Sequence, residues 1–107
     1  MQINRDMMVK LIDKVESLEV FTGHEDHEFS EISFSAGAVG TRGYQQTWTP
    51  EHPPRFVEIV GISDSTKMLP MVFLNGTPGV DLKVYLNVYR ATTDSTTGQH
   101  CKVRSYY

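Results

Sequence analysis

Cysteine is almost absent from this 107-residue chain. Cys101 stands alone, which excludes an internal disulfide and any zinc site built from this chain's cysteines. Long hydrophobic runs are absent too. Nothing approaches the roughly 18 apolar residues that a membrane span needs, because Lys10, Asp13, Lys14 and Glu16 interrupt the one helix-like stretch near the N-terminus. That stretch lacks the basic start, apolar centre and small-residue cleavage site of a secretory signal. A cytoplasmic protein without a membrane partner is therefore expected. Positive charge is in short supply, with 10 Lys and Arg against 13 Asp and Glu and a net charge of −3. A nucleic-acid backbone as principal partner is disfavoured, since phosphates call for clustered cations. The chain also has no nucleotide fingerprint, phosphate loop, zinc-finger spacing or HExxH pair, so no cofactor is expected.

What remains is ordinary globular material. The chain is 39% hydrophobic and 21% charged, far from the composition that keeps chains disordered. Its length suits one domain, residues 1–107, burying roughly two-thirds of the surface that the unfolded chain exposes. Charge is unevenly spread. Glu16, Glu19, Glu25, Asp26, Glu28 and Glu31 fall together with no Lys or Arg among them, whereas Lys83, Arg90, Lys102 and Arg104 face only Asp94 in the C-terminal quarter.

Hydrophobic periodicity sets the expected elements. Asn4 can cap a helix, and Met8, Leu11, Ile12, Val15 and Leu18 then fall on one face at the 3.6-residue period. Gly23 breaks that pattern, and residues 24–28 read as a polar loop. Ile32, Phe34 and Ala36 alternate with serines as a half-buried strand. The glycines at 37, 40 and 43 read as turn chemistry before a strand at 44–49, which Pro50, Pro53 and Pro54 end. Phe56, Val57, Ile59, Val60 and Ile62 put apolar groups on both faces of one strand, which predicts the middle of a sheet beneath the helix. Pro70 marks residues 68–74 as an edge strand. The clearest strand runs through Leu82, Val84, Leu86 and Val88, alternating with Lys83, Tyr85, Asn87 and Tyr89. Residues 92–99 read as a turn, and 101–107 pair back as a terminal strand. The expected fold is α+β: an N-terminal amphipathic helix on a mostly antiparallel five- to six-stranded sheet, a meander or roll, because no crossover helix separates the later strands.

Four constellations could carry chemistry. His24, Glu25, Asp26, His27 and Glu28 offer metal-ligand atoms, with His52, His100 and Cys101 as further donors. The ordinary reading of that stretch, a solvated acidic loop, is preferred, and no metal site is assigned. Cys101 cannot readily use its neighbour His100 as a base, since adjacent strand residues face opposite ways. Glu58, flanked by Val57, Ile59 and Val60, is either paired across the sheet with Arg55, Lys83 or Arg90, or lines a cavity as an enzyme's acid. Tyr85 and Tyr89 share a face with Lys83, an arrangement suited to a protein interface.

With no catalytic residues assigned, the reading is a non-enzymatic protein-binding module of accessory, inhibitor or viral-factor type. It acts through Tyr85, Tyr89 and Lys83 on an aromatic sheet face and through Glu25, Asp26 and Glu28 on an acidic loop. Three alternatives stand beside it. One is a single-stranded nucleic-acid binder using Tyr85, Tyr89, Lys83, Arg90 and Arg104. The others are a homo-oligomeric structural subunit assembling through sheet edges, and a small enzyme using Glu58 and a histidine.

Overall fold

The computed structural model describes residues 21–107. Six strands follow one another: β1 (His24–Phe34), β2 (Arg42–Trp48), β3 (Phe56–Ile62), β4 (Met68–Asn75), β5 (Lys83–Arg90) and β6 (Thr96–Tyr106). They form two antiparallel three-stranded sheets, ordered β1-β6-β3 and β2-β5-β4. We call these sheet A and sheet B.

Alternation on the two central strands explains the layering. In β5, Val84, Leu86 and Val88 are fully buried, and in β6 so are Cys101, Val103 and Ser105. Successive strand residues point to opposite faces, so each central strand presents one closed row that the other sheet must cover. Phe29, Ile32, Phe34 and Met68 complete the core, with Tyr44, Trp48, Val57, Ile59, Ile62, Val72 and Leu74 packed at its margin. The spacing from Phe29 to Ile32 is odd because the β1–β6 pairing slips there, and Glu31 takes a left-handed φ of 57°. This bulge returns Ile32 and Phe34 to the inner face. Close approach between layers falls at Gly43, where a Cβ would lie 2.7 Å from Cβ and Cγ of Phe34.

Arg90, at the end of β5, ties the opposite loops together. Its guanidinium donates to the Ser35 carbonyl at 2.9 Å, the Thr41 hydroxyl at 2.9 Å and the Arg42 carbonyl at 3.0 Å, and lies over the Phe34 ring. The glycine-rich segment is thus a turn anchored by an arginine.

Several expectations are corrected. The described residues are all β, in two sheets, and not α+β on a single sheet. The helix expected around Met8 to Leu18 lies outside the described residues. The connectivity is no meander, since β4 and β5 are the only sequential neighbours within a sheet. The strand containing Val60 is an edge, with Phe56 50% and Val60 38% exposed, and β6 takes the centre of sheet A. Burial accounts for this exchange: Cys101, Val103 and Ser105 of β6 are fully buried, and in register Arg104 on its other face sits between Asp26 of β1 and Glu58 of β3. Residues 24–28 are strand, not loop. Their outward side chains reach solvent or a cross-strand partner, and Glu25 and His27 lie at the end of the inner face, where burial is partial. Pro70 does lie on an edge strand, as expected.

The layering makes a paired prediction. Leu86 is fully buried and Leu69 is 48% exposed on a neighbouring strand of the same sheet. Leu86→Ala should cost about 2–5 kcal/mol by urea denaturation, and Leu69→Ala within about 0.5 kcal/mol of nothing. Equal losses would contradict the assignment of faces.

Candidate functional site

Two places combine exposure with unusual chemistry: the outer face of sheet B, and the end of the sandwich where β1 begins and the β2–β3 loop passes.

On sheet B, residues that alternate with the buried row necessarily face outward. Register sets Leu69 across from Tyr89, Met71 from Asn87, and Phe73 from Tyr85, with Gln45 and Thr47 on the other flank. Phe73 stacks on Tyr85 with centroids 5.4 Å apart. Leu69 and Met71 are 48% and 46% exposed. β2, β4 and β5 contain no Asp or Glu, and the exposed charges at the borders of this face are Lys83 and Arg42. At its middle, Asn87 is buried and its Oδ1 has no hydrogen-bond donor among the described residues. A buried amide oxygen in that condition costs about 1–3 kcal/mol. Of the residues the sequence singled out, Tyr85, Tyr89 and Lys83 are brought together here. Leu69, Met71, Phe73 and Asn87 were missed, although alternation from Leu69 through Met71 to Phe73 on an edge strand was the available signal.

The acidic trio is not brought to that face. Asp26 and Glu28 lie on the outside of sheet A, the opposite layer. Arg104 donates to Asp26 through Nε at 2.8 Å and Nη2 at 3.1 Å, and Lys102 approaches at 3.8 Å. The Arg104 hydrogen bond holds the Asp26 carboxyl below the ordinary aspartate range. Glu28 faces His100 Nδ1 at 3.6 Å. The Tyr106 hydroxyl donates to Glu58 Oε1 at 2.6 Å. That hydrogen bond raises the Tyr106 phenol's pKa and occupies the carboxylate considered as an enzyme's acid.

Glu25 turns the other way, into the end of the sandwich. Its Oε2 accepts the backbone N–H of His52 at 3.1 Å, and its Oε1 lies 3.1 Å from His52 Nδ1. The His52 ring stacks on Tyr107 at 3.9 Å. Ligand atoms of Glu25, Glu51 and His52 all lie within 4.8 Å of one another. The period of two thus divides the sequence's His/Asp/Glu run between two faces: of the candidate donors, Glu25 meets His52 at the end of the sandwich and Glu28 meets His100 on the outside of sheet A. Glu51 was overlooked because it sits among prolines in a loop. His100 faces outward, away from Cys101, whose buried thiol is pushed up to about 11 and is therefore a poor nucleophile at neutral pH.

No known protein family, curated protein or solved structure matches this chain. The protein-interaction, viral-factor and self-assembly expectations gain no support from these comparisons. Among the described residues, no helix is long and apolar enough to cross a membrane.

Beside the Glu25 cluster, His27 stacks on Trp48 with centroids 5.1 Å apart and meets Phe29 edge-on at 4.7 Å. Burial lowers its pKa from the ordinary 6.5. The unfolded chain then takes up the proton first, so stability present above about pH 6.5 is lost as pH falls toward the folded value. Urea midpoints followed by Trp48, the single tryptophan, should fall between pH 7.5 and 5 more steeply in wild type than in His27→Phe. Parallel curves would contradict a buried neutral imidazole.

Proposed function

We propose that the protein is a non-enzymatic binding module whose contact surface is the outer face of sheet B. The observation that carries this reading is the composition of that face. Aromatic and methionine side chains surround a buried, unpartnered Asn87 oxygen, carboxylates are absent from all three strands, and polar groups lie at the border. Interface cores are enriched in Tyr, Phe and Met and depleted in charge, with a polar rim.

The partner that fits is a protein surface with an apolar centre, a hydrogen-bond donor to meet Asn87, and acidic groups opposite Lys83 and Arg42. A single strand of nucleic acid fits less well. Arg90 and Arg104, two of the cations needed for it, are engaged within the chain at Ser35, Thr41 and Arg42 and at Asp26 respectively, leaving few charges for phosphates.

One observation favours a second reading, small-enzyme or metal chemistry. It is the convergence of Glu25, Glu51 and His52, which moves the carboxylate–histidine pair away from Glu58.

The test of the first reading is affinity capture from the source organism's lysate with wild type, Met71→Lys and Tyr85→Ser/Tyr89→Ser, with the fold of each checked by circular dichroism. The protein captured by wild type should be retained at least about tenfold less by both variants, equivalent to 1.4 kcal/mol. Release of the captured material by nuclease, or equal capture by all three, would overturn the reading.

A further inference from the structure

The end of the sandwich holds the most concentrated set of metal-ligating atoms among the described residues. Two elements deliver them. β1 contributes Glu25 from its second residue, directed inward by alternation, and the proline-bounded β2–β3 loop contributes Glu51 and His52. β6 lies alongside, with Ser105 directly across from Glu25 in register and on the same inward face. Ser105 is fully buried, and its Oγ has no hydrogen-bond partner among the described residues. It hydrogen-bonds to neither the Glu25 carboxylate nor the His52 ring, so the ligand set is two carboxylates and one imidazole.

The spacing of the Glu25–His52 pair, now joined by a hydrogen bond, suits a cation, and Glu51 lies within 4.8 Å of both. Two ligand atoms each about 2.1 Å from one ion lie about 3.0 Å apart at a right angle and about 3.4 Å apart at the tetrahedral angle. His52 Nδ1 and Glu25 Oε1 are 3.1 Å apart. The exposed Glu51 and His52 give an entry path, and the Tyr107 ring against His52 restricts the imidazole's orientation. On its far side, Glu51 borders a cavity of about 130 Å³ between the β2–β3 loop and the β4–β5 hairpin, walled by Pro50, Pro54, Val80 and Leu82.

We propose that Glu25, Glu51 and His52 bind one divalent transition ion. Two carboxylates and one imidazole suit Zn²⁺, which takes oxygen and nitrogen donors together and in three-ligand sites leaves one position open. This inference rests on the second reading above and is independent of the aromatic face.

The test is isothermal titration calorimetry of the full chain with Zn²⁺ at pH 7.5, and with Mg²⁺ as the hard-ion comparison. Wild type should bind one equivalent of Zn²⁺ in preference to Mg²⁺. Glu51→Gln, an exposed change that leaves the Glu25–His52 pair intact, should weaken Zn²⁺ at least tenfold, as should His52→Asn. Tyr85→Ser/Tyr89→Ser should bind Zn²⁺ as wild type does, so that failure of either proposal is separable from failure of the other. Absence of one-to-one binding by wild type, or binding unchanged in Glu51→Gln and lost in His100→Asn, would overturn the site.

Discussion

Each sheet has only three strands, and its middle strand carries a row of side chains from which solvent is wholly excluded. Val84, Leu86 and Val88 on β5 and Cys101, Val103 and Ser105 on β6 reach zero exposure, which no three-stranded sheet achieves unaided. Burial of roughly 25 cal/mol per Å² of apolar surface favours bringing the two rows together, and the rest of the structure follows from that pairing. The bulge at Glu31 exists on this account to keep Phe29, Ile32 and Phe34 in the same closed layer. Gly43 lets β2 come close enough to Phe34 to shut its edge. Arg90 holds the loops at one end, and the clasp between Glu25 and His52 holds the other.

Once the inner rows are committed, the outer faces are what the chain offers to its surroundings, and the two differ. Sheet A faces outward with Asp26, Arg104, Glu58, Tyr106 and Lys102, which satisfy one another. Sheet B faces outward with Leu69, Met71, Phe73, Tyr85 and Tyr89 around an amide oxygen that nothing in the described chain satisfies. The asymmetry of charge along the sequence is therefore cancelled within sheet A, where Lys102 and Arg104 meet Asp26. Glu25, Asp26 and Glu28 do not border the aromatic face: Asp26 and Glu28 lie on the opposite sheet, and Glu25 points into the end of the sandwich.

The strands with strict alternation were legible in the sequence, because a period of two with one apolar face has few other solutions. The β5 strand and the edge position of Pro70 belong to this class. Side-chain period could not reveal which strand is central. β3 carries apolar groups on both sides yet lies at an edge, and β6, with cations on one face and the fully buried Cys101, Val103 and Ser105 on the other, lies between two strands. Polar residues 24–28 resembled a loop since neither set of alternates is greasy, and only tertiary position distinguishes the outward Asp26 from the inward Glu25 and His27. For the same reason the grouping of Glu25 with Glu51 and His52 was out of reach: it is made by a loop meeting a strand end, a contact without any local pattern.

The arrangement stands or falls on β6 being paired on both sides, and amide hydrogen exchange resolved by residue measures that directly. In a central antiparallel strand consecutive N–H groups bond alternately to the left and right neighbour, whereas an edge strand leaves every second one facing solvent. The expected result is slow exchange at consecutive amides from Cys101 to Ser105, with alternating slow and fast exchange along β3. Uninterrupted protection along β3 together with alternation in β6 would contradict the two-sheet order, and with it the division of the molecule into a satisfied face and an open one.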